Sequence, residues 1–253
     1  MLNRILAACL AAGILAGLAT AILQEFTTTP LIIKAEAYET GDGGGHHHSA
    51  LPQPGGATGA RLILAHVHSG NASGASPEAE TQEWAPADGI ERTFYTSIAT
   101  IGASFGFALM LLSAMFLTGS QITARTGLAW GAAAFVATGL APALGLSPEL
   151  PGSAAAELAA RQYWWIGTVI ATAIGLFLAL RISTPIAIAA GLVLLIAPHV
   201  IGAPHPHEYT SGVPSELSGH FAASSLVVHA VMWTVVGVVA GYVWQCGDQT
   251  AAA

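Results

Sequence analysis

The run FAASSLVVHAVMWTVVGVVAGYVW, Phe221–Trp244, contains no Asp, Glu, Lys or Arg. A helix that crosses a bilayer needs about 20 predominantly apolar residues, within a range of about 17–25. Lipid offers no hydrogen-bond partners, so a spanning backbone must satisfy its own amides, as a helix does. The run shows no alternation at a period of two, which argues against a strand of a membrane barrel. Phe221–Trp244 is therefore read as a transmembrane helix, and it carries one histidine, His229.

Five further segments read the same way: Ile5–Leu23, Phe94–Leu117, Leu128–Leu146, Trp164–Leu180 and Pro185–Ile201, the last of them short. Over the whole chain 53% of residues are hydrophobic and 8% are charged. Soluble domains carry roughly a quarter charged residues. The expected architecture is all-α: a polytopic membrane bundle of about six helices, forming a single membrane domain over residues 1–253. One long outer loop, residues 25–92, separates the first two helices. The first segment follows Arg4 as a signal peptide would. No small-x-small cleavage site closes it before Gln24 and Glu25, so it is read as a helix.

Charge sets the expected topology. Arg4, Arg125 and Arg181 occupy short segments on one side, and the positive-inside rule places that side, with both termini, in the cytoplasm. All the acids but Asp248 then fall outside, among them Asp88, Glu91, Glu149 and Glu216. All ten histidines fall in outer loops or in the outer halves of the last two helices. An acidic, imidazole-rich face attracts cations. No basic patch offers nucleic acid a surface. Cys9 and Cys246 lie too far apart in sequence to suggest a disulfide framework, and both read as inert.

The chain also echoes itself. Leu140-Ala-Pro-Ala-Leu-Gly is followed by Pro148-Glu-Leu-Pro-Gly152. Ile196-Ala-Pro-His-Val-Ile-Gly is followed by Pro214-Ser-Glu-Leu-Ser-Gly219. Each pair precedes a Trp-bearing helix, and Thr29-Pro30 with Asp88–Arg92 is a weaker echo. The expected arrangement is three hairpins of like orientation. Each odd helix has a proline near its outer end, Pro30, Pro142 and Pro198, where a missing amide ends a helix or frees carbonyls. Small residues spaced by four recur at Gly13/Gly17, Gly102/Gly106, Gly127/Gly131, Gly167/Ala171/Gly175 and Gly237/Gly241. That spacing lets helix backbones approach closely, within the chain, in a homo-oligomer or against a partner.

Several residues suit metal chemistry. His46-His47-His48 are adjacent imidazoles in a Gly-rich loop, able to capture a divalent transition metal. They read equally well as a solvated polar stretch. His66 and His68 share one side if extended. His205, His207 and Glu208 lie within four residues, with His199 and His220 flanking them, and nitrogen and oxygen donors of this kind build metal sites. His229 sits within its helix roughly 10 Å below the outer end, with Ser225, Met232 and Trp233 on its face. An ionisable group at that depth is a functional candidate, for an ion or a proton. The plainer reading is a neutral imidazole bonded to a neighbouring helix. Asp88, Glu91, Glu149 and Glu216 would draw cations in. Asp88 would also cap the second helix, and Glu157 would pair with Arg161 at i, i+4. No P-loop, nucleophile elbow or zinc-protease spacing is present, so neither ATP hydrolysis nor another enzyme activity is expected.

Taken together, these motifs resemble the CbtA family, cobalt transporter subunits of bacteria. The resemblance covers nearly the whole chain. It rests on Thr29-Pro-Leu-Ile-Ile-Lys-Ala-Glu-Ala-Tyr-Glu39, the His-bearing loop, Trp84-Ala-Pro-Ala-Asp-Gly-Ile-Glu-Arg92 and Leu140–Gly152. Ala159-Ala-Arg-Gln-Tyr-Trp-Trp165 and Pro198-His-Val-Ile-Gly-Ala-Pro-His-Pro206 complete it. It implies cobalt uptake linked to cobalamin synthesis, in the bacterial inner membrane, with a small CbtB-type membrane subunit as partner. The metal, cobalt or nickel, would be cargo, and no permanently bound cofactor is expected. Two other readings use the same residues: a non-transporting metal sensor or accessory protein, and a b-type haem protein with His199 and His229 as axial ligands.

Overall fold

The computed structural model describes residues 1–39, 86, 89–206, 208 and 211–252, the side chains of 39 and 248–252 apart. Among these residues seven helices follow one another: α1 Leu2–Phe26, α2 Thr28–Glu39, α3 Ile90–Leu117, α4 Ala124–Ala143 and α5 Leu158–Ile182, α6 Pro185–Ile201 and α7 Ser215–Ala252. No strand occurs among the described residues. Five helices are long and apolar enough to cross a membrane, and the 17-residue α6 is a shorter apolar helix. Five of the six expected segments thus lie wholly on helices, and the third, Leu128–Leu146, runs three residues past the end of α4. The start of the expected outer loop is helical, because Thr27 breaks α1 and α2 begins at once, with Pro30 in its first turn where a missing amide is harmless.

Local chemistry sets the ends. Thr123 and Thr126 form a reciprocal capping box that starts α4. Thr184 caps α6 ahead of Pro185. Glu157 caps α5, its carboxylate accepting from the amides of Ala159 (3.0 Å) and Ala160 (2.9 Å). The expected cap of α3 by Asp88 is not how that helix begins. Its N-cap is Gly89, at φ 92°, a backbone conformation that favours glycine; Asp88 itself lies outside the described residues.

The packing is inside-out relative to a soluble protein. α1 buries Ala8, Cys9, Ala12, Gly13, Ala16 and Gly17 and exposes Leu6, Leu10, Ile14, Leu15, Leu18 and Ile22. Small residues face the neighbouring helices and large apolar ones face outward, as a lipid environment allows. α1 packs on α3 and α7, and α7 packs on α4. The core there joins Leu111, Leu112 and Met115 to Met232, Trp233 and Val236. The α4–α7 contact is backbone to backbone: a Cβ on Gly127 would strike the Gly237 carbonyl oxygen, and one on Gly241 would strike that of Thr123.

The expected out-and-back pairing holds for α1 with α3. α4 and α5 meet mainly at the end far from the termini, and α6 and α7 do not touch. Among the described helices α6 touches only α5, crossing it where Gly175 faces Gly191. Both chain termini lie at one end of the bundle, where Arg4 donates to the Trp244 carbonyl at 2.7 Å and stacks 4.0 Å from the Trp244 ring.

Candidate functional site

Pro142 shapes the middle of the bundle. It has no amide to offer the carbonyl of Thr138, four residues back. The chain answers with a π-turn over Val136–Leu140, in which the amide of Ala141 reaches the carbonyl of Val136. Single π-turns recur at functional sites because they re-aim a side chain. Here the Thr138 side chain meets α7.

Trp233 lies one turn beyond His229 on α7. Its indole N–H donates to His229 Nε2 at 2.8 Å and is shared with Thr138 Oγ1 at 3.0 Å. Thr138 Oγ1 lies 3.2 Å from the same imidazole nitrogen and donates to the Ala134 carbonyl at 2.8 Å. An indole N–H can only donate, so Nε2 must accept and the ring proton belongs on Nδ1. That nitrogen faces Gly139, where a Cβ would come within 3.3 Å. Phe135 stands edge-on to the ring at 6.1 Å. His229 is thus a half-buried imidazole tied to the π-turn of α4, with one lone pair already engaged. Since α7 begins at Ser215, His229 lies about 21 Å along it, near the middle of the apolar stretch Ser215–Gly247. This is deeper than the roughly 10 Å expected from sequence.

The other candidates spread over the far end. His199 is half-buried in the last turn of α6, edge-on to Trp164 at 6.1 Å. Trp164 Nε1 donates to the Pro198 carbonyl at 3.3 Å. His205 and Glu208 are exposed in the connection to α7, and His220 is exposed near the start of that helix. His207 lies outside the described residues, as do His46, His47, His48, His66 and His68. Among the described residues, no three His, Cys, Asp or Glu side chains are grouped so as to hold a metal ion. The physical reason is the separation of α6 from α7, which keeps His199 and His220 on helices that do not meet.

The acids also differ from expectation. Arg161 pairs with Glu149 at 2.6 Å, not with Glu157, which is occupied as the cap of α5. Glu149 is therefore engaged with a cation of its own chain. A second clamp of the same kind joins Glu36 of α2 to Arg92 of α3 at 2.6 Å. Both hold the start of a helix that runs back towards the end carrying the termini. Glu91 and Glu216 are exposed in first turns, where acids favour the helix dipole. Sequence reading missed the Glu36–Arg92 clamp, which spans the long loop. It also missed Thr138, although its position four residues before Pro142 was a signal. Beside the clamp, a small cavity of about 60 Å³ is lined by Gln24, Glu25, Thr29, Thr93 and Thr96 together with the apolar Ala21 and Ile33.

The fold and its surroundings define a multi-spanning membrane protein with an imidazole held inside the bundle and its other candidate imidazoles and acids spread over one end. A family model described as "Probable cobalt transporter subunit (CbtA)" matches residues 2–245, so the chain belongs to that family. No curated protein and no solved structure matches it.

Proposed function

We propose that this chain is the permease subunit of a bacterial inner-membrane uptake system for a divalent transition-metal cation, cobalt. The observation that carries the reading is its membership of a transporter-subunit family over residues 2–245. The apolar helices and the imidazole inside them support it. Both termini lie in the cytoplasm in this reading. It is supported by Arg4, Arg125 and Arg181, which belong to the end of the bundle that carries the termini. A small CbtB-type membrane subunit is the partner, and the metal is cargo.

In this mechanism Asp88, Glu91, Glu149, Glu216 and the loop residues His46, His47 and His48 raise the local cation concentration. Glu149 would have to exchange its arginine. His199, His205, His207, Glu208 and His220 take up the ion once the connection between α6 and α7 closes around it. His229 lies on the inward path and binds through Nε2 when the Trp233 indole turns away. Radiolabelled cobalt uptake, in cells lacking their own transporters, tests the reading with the chain expressed alone and with its partner. Uptake that excess nickel does not suppress is expected. Absence of uptake in both strains, with the protein present in the membrane, defeats the permease reading. Alanine at His205 and His207 together is expected to lower uptake at unchanged protein level, and unchanged uptake would sink the far-end site.

One observation favours a second reading, a metal sensor or accessory protein. His229 Nε2 already accepts the Trp233 indole proton, as a structural histidine would. His229→Ala separates the two: function collapses if the residue lies on the path and stays intact if the role is only metal binding at the outer face.

A further inference from the structure

A cleft of about 440 Å³ opens between α3, α4 and α5, lined by Met110, Ala133, Ala173, Leu176 and Phe177 among other apolar side chains. Its polar boundary is Thr138 and Trp233 at one end and Arg181 at the other. On α5 the lining runs from Val169 to Arg181 and on α4 from Ala129 to Thr138, which at 1.5 Å per residue is about 14–18 Å. This is about half of a 30 Å hydrocarbon core, one leaflet. The leaflet is that of the chain termini, because α3 ends and α4 begins beside the cleft.

We propose that this cleft binds an anionic phospholipid, with an acyl chain between α3, α4 and α5 and the headgroup phosphate on Arg181. The deep end suits a hydrocarbon tail. The Trp233 N–H and the Thr138 hydroxyl are already bonded to one another, to His229 and to the Ala134 carbonyl. At the mouth, Arg181 is exposed, and no carboxylate among the described residues pairs with it. A guanidinium at the interface, above an apolar slot between helices, complements a phosphate. The tail would end against the residues that hold His229, so a bound lipid would brace the π-turn of α4.

The test uses the full chain in mild detergent, washed free of lipid and melted with phosphatidylglycerol or with phosphatidylcholine of the same acyl chains. Phosphatidylglycerol is expected to raise Tm by about 3–5 °C more than phosphatidylcholine at ten times its Kd. Arg181→Gln should lose that difference and Arg181→Lys should keep most of it. Equal stabilisation by the two lipids, or an undiminished preference in Arg181→Gln, overturns the proposal. A photo-crosslinking residue at position 133 gives a readout independent of stability. Capture of a phospholipid acyl chain is expected. Capture of a polypeptide instead overturns the proposal and makes the cleft the seat of a partner helix.

Discussion

Trp233 has one N–H and divides it between two acceptors on different helices, so its loss reaches beyond its own side chain. Trp233→Phe keeps an aromatic ring beside Phe107, 5.0 Å away, but removes the only donor of that residue. The expected cost is about 1–2 kcal/mol, read as a lower Tm in detergent, and Thr138→Val should show a smaller loss of about 1 kcal/mol. The two effects should be less than additive in the double variant, because both act on the same imidazole. Full additivity would mean that the three groups do not form a unit. At the other end of α5, Glu149→Gln and Arg161→Met should couple by about 0.5–1 kcal/mol in a double-mutant cycle. The half-buried pair keeps this value within the range of modestly shielded ion pairs. No coupling should be found between Arg161 and Glu157, whose role is the cap.

At the scale of the helices, glycine positions separate close contact from open surface. Gly127→Leu would drive a side chain into the backbone of α7, and Gly191→Leu would do the same between α6 and α5. Each is expected to cost at least the 1–3 kcal/mol typical of overpacking, seen as loss of folded protein in the membrane fraction. Gly102→Ala meets nothing within 4 Å and should leave the melting temperature unchanged. A large destabilisation there would show that a partner covers that face of α3. The repeated small-residue spacing made Gly102 and Gly127 look alike in the sequence, and Gly191 belonged to no such pair. Their consequences differ because only helix-helix geometry says which of them has a backbone opposite.

At the scale of the molecule, the paired termini predict a labelling pattern. Cys246 is exposed at the termini end, and Cys9 is fully buried. In the proposed orientation, a membrane-impermeant thiol reagent should label Cys246 in inside-out vesicles and not in intact cells. A cysteine introduced by Ser218→Cys at the opposite end should behave in the reverse way. The opposite pattern for both would invert the topology and, with it, the direction assigned to the cation path.

The sequence alone determined that this is a helical membrane protein and where its long apolar helices lie. That information is local and one-dimensional: an uncharged run of sufficient length has only one way to satisfy its backbone in lipid. Motif order along the chain was likewise enough to point to the family, which a match over residues 2–245 then established. Only the tertiary structure decided what the singled-out residues touch. Three successive hairpins were the simplest reading of the repeat, yet α7 lies against α1 and α4 while α6 keeps only α5. Pairing between apolar helices is chosen by shape, at places such as Gly127 against Gly237, and shape complementarity leaves no mark in hydrophobic periodicity. For the same reason Arg161 met Glu149 instead of the nearer Glu157, and His229 met a threonine re-aimed by a proline on another helix. Those partners lie 12 and 91 residues away, and a spacing rule reaches only a turn or two.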